Sequence, residues 1–259
     1  MSRNRFLSAG IAALIACAAP AMAADKPYDR HDLTGFWKLV EGPFQDAAGF
    51  EKMLRMNDPN TKGPFIEPRT FLNNHPPIPI QLTPEFEAIH KRLQAEFDAG
   101  HPYRTGYMCR PSGLWAMMAW NGPVEIFQSG ERILFQRELL ANNYTVYFGR
   151  PHKTEFLEYG LYGDNIGRWD GDTLVIDTIN LGGTMVLHET EPHSQSLHIV
   201  QRISRPTFDT LIDDMTADDP RAFAKPWKVH LRYQLTQGEF DEQQCGNDGG
   251  GKRMAEAPD

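Results

Sequence analysis

The sequence predicts a mainly β fold, an antiparallel up-and-down barrel of about eight or nine strands with a long proline-rich insertion carrying one helix. Three observations lead there. From Val124 onward, short runs alternate apolar with polar residues and are punctuated by glycine, asparagine and aspartate turns. In the cleanest run, Trp227, Val229, Leu231, Tyr233 and Leu235 share one face, while Lys228, His230, Arg232 and Gln234 share the other. Strands in sequential order leave two exposed edges unless the sheet closes on itself, and closure removes them. A two-sheet β-sandwich is the runner-up arrangement.

The chain opens with Arg3 and Arg5, an apolar run from Phe6 to Ala19 that is short for a bilayer span, and Pro20-Ala21-Met22-Ala23. This is the pattern of a secretory signal peptide, residues 1–23, with an A-x-A cleavage site, and it predicts export to the periplasm. Leu14-Ile15-Ala16-Cys17 also resembles a bacterial lipobox, so a lipid anchor at Cys17 is the alternative. Residues 24–245 have the length of a single domain, with no later transmembrane run. The glycine-rich, charged tail, residues 246–259, reads as disordered. Cys109 and Cys245 remain after cleavage, and in an oxidising compartment they predict a disulfide worth about 4–5 kcal/mol in chain entropy. Two unpaired thiols are the alternative.

Asp32–Val40 reads as the opening strand, followed by a mostly irregular stretch with Pro64, Pro68, Pro76, Pro77 and Pro79. Within it, Thr83 can cap a helix, Pro84 suits its first position and Gly100 its exit, with Phe86, Ile89, Leu93 and Phe97 as the packing stripe. Strands are then expected at Val124–Gln128, Arg132–Leu139 and Tyr144–Phe148, and after a hairpin at Leu197–Arg205, Thr210–Met215 and Trp227–Leu235. The hairpin is Gly163–Thr178, with Asp170-Gly171 as its two-residue loop. Threading out from that loop sets Trp169 opposite Asp172, Gly167 opposite Leu174 and Asn165 opposite Ile176. Arg168, Ile166 and Asp164 then share the other face with Thr173, Val175 and Asp177.

Several groups could carry chemistry. His188, His193 and His198, with Glu189 and Glu191 between, could ligate a divalent ion, but their spacing matches no strong metal signature and a polar loop is favoured. His193, at a strand mouth beside Ser194, could serve as a general acid or base. Gln201 interrupts the apolar face of Leu197, Ile199 and Ile203, so it joins a buried network or faces a polar cavity. Arg168 and Asp177 stand too far apart along the hairpin to pair, and each needs a partner from another strand or a ligand. Trp169 could line an apolar pocket, as could Trp37, Trp115, Trp120 and Trp227. The chain holds no G-x-S-x-G elbow, phosphate loop or dinucleotide fingerprint, and no cofactor is implied. Its net charge of −8 argues against nucleic acid and anionic lipid.

Several of these stretches resemble a large family of uncharacterised exported proteins from proteobacteria and acidobacteria. They are Asp32–Trp37, Leu82–Phe86, Cys109–Gly113, Glu125–Gln128, Gly163–Thr178, Pro192-His193-Ser194, Asp219-Pro220 and Lys225-Pro226-Trp227. The resemblance spans nearly the whole mature chain, is most specific at the Gly-Arg-Trp-acid-Gly-Asp-Thr-Leu core, and implies one periplasmic domain but no activity. Two positions depart from the family's pattern: a histidine expected before the core is Asp164, and a glutamate expected in the His193 strand is Gln201. Gly35-x-Trp37 is separately similar to the opening of lipocalin-like barrels.

The leading expectation is a periplasmic barrel that binds a small, partly apolar molecule through Arg168, Trp169, Asp177, His193 and Gln201. The alternative is a hydrolase, lyase or isomerase working without an organic cofactor, with His193 as acid/base and Arg168 stabilising an oxyanion. A cell-envelope lipoprotein or interaction protein is the second alternative.

Overall fold

The structure is a computed structural model, and it describes residues 27–42, 80–99, 123–137, 142–153, 160–182 and 192–240. Cys17, Cys109, Cys245, His188, Trp115, Trp120, the leader and the tail lie outside these residues. The strands are β1 (Gly35–Glu41), β2 (Val124–Gln128), β3 (Arg132–Arg137), β4 (Asn142–Tyr147), β5 (Asp164–Asp170), β6 (Thr173–Ile179), β7 (His198–Thr207), β8 (Thr210–Asp218) and β9 (Trp227–Thr236). Each pairs with its neighbour in sequence and β9 pairs back to β1, closing a nine-strand barrel. The sheet therefore closes, and the sandwich is not formed.

One junction departs from a pure up-and-down order. β4 and β5 run parallel through Val146↔Asn165 and Tyr147↔Ile166, while the other eight junctions are antiparallel. Parity requires such a junction. Every antiparallel step reverses direction, so a closed ring of nine strands must contain an odd number of parallel steps. Residues 148–163 supply the crossover, because parallel neighbours need a connection of a dozen or more residues.

Alternation sets the interior. Leu211, Asp213, Met215 and Ala217 of β8 face inward, as do Trp227, Val229, Leu231 and Tyr233 of β9. One end of the barrel is filled around Trp37, whose Nε1 donates to Leu33 O at 2.9 Å. The Arg205 guanidinium lies over the Trp37, Tyr28 and Phe208 rings and donates to the carbonyls of Asp32 and Phe208. The other end carries the single described helix, α1 (Pro84–Asp98), which buries Phe86 and packs Ile89 against the core. Thr83 begins α1 as expected, but its hydroxyl donates to Arg221 O at 2.9 Å, so it ties the helix to the β8–β9 connection.

The β5–β6 hairpin forms with its loop shifted by one residue. Asp170 pairs with Thr173 and Trp169 with Leu174, so the loop is Gly171-Asp172, with positive φ (58°) at Gly171 and not at Asp172. A two-residue loop with glycine first needs positive φ only there, which releases Asp172 to receive Arg30 and His31, each at 3.5 Å. The shift moves each residue one pair along, so the expected pairs are wrong but the two faces keep their members. Gly167 is glycine for space: a Cβ there would come within 2.7 Å of Val146 Cγ1.

Candidate functional site

Among the polar side chains at inward positions, five form a group: Arg137 on β3, Tyr144 on β4, Gln201 on β7, Asp213 on β8 and Tyr233 on β9. They come from opposite walls and meet. Gln201 Nε2 donates to Asp213 Oδ2 at 2.9 Å and, more weakly, to Tyr144 Oη at 3.4 Å. Arg137 Nη2 donates to Tyr233 Oη at 2.9 Å, and the Tyr144 ring stacks on Phe135 at 4.6 Å. Gln201 is fully buried, and Asp213 is 4% exposed.

Burial governs the electrostatics. It pushes the Asp213 carboxyl up to about 6, a rise that the Gln201 hydrogen bond and the Arg137 charge only partly offset. Burial likewise pushes the Tyr144 and Tyr233 phenols up, so both stay protonated and able to donate. Two acceptors, Gln201 Oε1 and Asp213 Oδ1, are shut off from solvent with no hydrogen-bond partner. Such atoms are costly and rare in folded proteins, and these two belong to residues that are hydrogen-bonded to each other.

Of the residues singled out in the sequence, only Gln201 belongs to this cluster. Asp177 faces outward and its partners come from the protein: His152 Nε2 lies 2.8 Å from Oδ1 and His198 Nε2 3.2 Å from Oδ2. The other His152 nitrogen faces Asp164 Oδ2 at 3.2 Å, and Asp164 also accepts from Arg150 and from the Lys153 N–H. This external clasp pins the start of the β4–β5 crossover over β5 and β6. Burial works to raise the Asp164 carboxyl, but these hydrogen bonds and the Arg150 charge outweigh it and hold it at about 2. Arg168 is exposed on the outside of β5, and the structure does not bring it to His193. Trp169 is half-buried at the Trp37 end, its ring 4.4 Å from that of His31.

His193 and Ser194 form a latch. Ser194 Oγ and N donate to the two oxygens of Asp219 at 2.7 and 2.6 Å, and Asp219 Oδ1 also accepts from the Arg221 and Ala222 N–H groups. The His193 ring donates from Nδ1 to Ser194 O at 2.8 Å. Because the Ser194 hydroxyl hydrogen goes to Asp219, no nucleophile–base pair forms with His193. Among the described residues, no group of three or more histidine, cysteine or carboxylate side chains is arranged to hold a metal ion.

The other four members of the interior cluster were not among the candidate site residues, for want of strand register. The alternation that marks Gln201 also marks Asp213, between Leu211 and Met215, and Arg137, after Ile133 and Phe135. Tyr144 and Tyr233 carry no signal beyond an inward aromatic position.

The fold and this interior cluster define the class: a small closed β-barrel with a polar centre. No protein family and no curated relative matches the sequence. Among solved structures, a point mutant of the fluorescent protein UnaG matches with a TM-score of 0.33 and 11% identity, over 80% of this chain and 97% of that one. At that distance the barrel rests on its own strand pairing.

Proposed function

We propose that the barrel is a small-molecule-binding protein whose ligand sits in the interior, its polar end held by Arg137, Tyr144, Gln201, Asp213 and Tyr233. The observation that carries this reading is the pair of buried, unpartnered acceptors, Gln201 Oε1 and Asp213 Oδ1. A core built only for stability would place apolar side chains there, because half-satisfied polar networks are worse than none. The apolar inner positions around the cluster, such as Ile176, Ile203 and Leu231, suit the less polar body of such a ligand. Export to the periplasm belongs to the same proposal, supported by the Arg3-to-Ala23 pattern and by the resemblance to exported proteins.

Native mass spectrometry of the protein purified from its own cell envelope tests the reading. A mass excess that Gln201→Leu removes while the fold persists is the expected result. A barrel that is empty on isolation and binds nothing in a metabolite screen overturns it.

A further inference from the structure

Within the interior cluster, the Gln201–Asp213 pair has unmet hydrogen-bonding capacity of one sign. Gln201 Nε2 carries two hydrogens, and they go to Asp213 Oδ2 and Tyr144 Oη. What Gln201 and Asp213 leave unmet are two acceptors, Gln201 Oε1 and Asp213 Oδ1. A head group that is itself only an acceptor would add lone pairs to lone pairs at these atoms. One that offers hydrogens meets both. Resting on the reading of the barrel as a binding protein, we propose that its ligand has a head rich in N–H or O–H donors. Such a head, an amine or vicinal diol on an apolar body, docks donor-first against Gln201 Oε1 and Asp213 Oδ1. The competing choice is an anionic head drawn to the Arg137 guanidinium, which donates from Nη2 to Tyr233 Oη.

Protonation separates the two. Asp213 is faced by Gln201, Arg137, Tyr144 and Tyr233 inside the barrel, and by the charges of Asp214 and His230 nearby. While Asp213 is ionised, Oδ1 accepts; once protonated, the carboxyl offers a hydrogen to the lumen instead. A donor-headed ligand therefore binds more tightly as pH rises through about 6, and an acceptor-headed one as pH falls.

The test is calorimetric titration of the full chain with 1-aminodecane, 1,2-decanediol and decanoate, at a pH on either side of that value. At the higher pH the amine and the diol are expected to bind about tenfold or more tightly than decanoate, the scale of one hydrogen bond to a charged acceptor. That margin shrinks at the lower pH. Asp213→Asn keeps an oxygen for Gln201 and turns an N–H₂ into the lumen, so the preference reverses. Gln201→Met deletes the other acceptor and weakens amine and diol binding without reversing the order. Preferential binding of decanoate by the unaltered protein overturns the donor-head inference and leaves the binding reading standing. Amine or diol binding that neither variant changes overturns the assignment to these two atoms. A folded protein that binds none of the three overturns both.

Discussion

Asp213 shows what a single residue contributes when physics and pattern disagree. It occupies an inward position of β8 between Leu211 and Met215, where an apolar residue would cost nothing, and it is held by one hydrogen bond from Gln201. Burial lifts its carboxyl from 3.8 to about 6, so the folded protein holds that proton more tightly than the unfolded chain does. The sign follows. The extra stability is fully present below the unfolded value of 3.8 and is lost as pH rises through about 6. Its size is roughly 3 kcal/mol, at about 1.4 kcal/mol per pH unit. Urea unfolding of the unaltered protein and of Asp213→Asn across this range should show the difference between them growing by up to that amount towards acid. A difference that stays flat would mean that Asp213 is not the buried acid described.

Elements are held by contacts that cross between them, which is where sequence reading is weakest. The β5–β6 hairpin was legible in Gly163–Thr178, yet its loop is Gly171-Asp172, because whether Asp172 serves the turn or receives Arg30 and His31 depends on a segment more than a hundred residues upstream. Asp177 looked unpartnered for the same reason. Its partners, His152 and His198, sit on the crossover and on β7, and no local spacing connects them. Asp164 is the centre of that clasp, held near pH 2 by Arg150, the Lys153 N–H and His152. A carboxyl depressed in this way adds stability that is present above 3.8 and lost as pH falls through about 2. Asp164→Asn should therefore lower the unfolding free energy near neutral pH by roughly 2 kcal/mol. Its deficit should vanish by about pH 2, measured as the difference in urea unfolding between variant and parent. A deficit that persists unchanged into strong acid would place the loss in packing rather than in the ionised clasp.

At the scale of the whole molecule, the strand count and sequential order were readable from alternation and turns, because each strand carries its own two-residue period. The parallel β4–β5 junction was not, since it follows from closure of an odd-numbered ring, a property no single strand contains. The interior site divides the same way: Gln201 and Asp213 are polar breaks in the apolar faces of neighbouring strands, while Arg137 on β3 meets Tyr233 on β9 only once the barrel closes. Parity has a dynamic consequence. β4 and β5 meet at two registered pairs, whereas β7 and β8 are paired along most of their lengths. The sheet is thinnest in hydrogen bonds at that seam, and the clasp on Asp164 and Asp177 spans its outer side. Local opening follows the weakest pairing, because low-stability segments open without global unfolding. Amide hydrogen exchange should therefore be fastest among the strands in β4 and the start of β5, and slowest in β7 and β8. His152→Ala, which removes the bridge between the two carboxylates, should speed exchange in β4 and β5 while leaving β7–β8 unchanged. Exchange at the seam as slow as in β7–β8 would sink the idea that the barrel opens there.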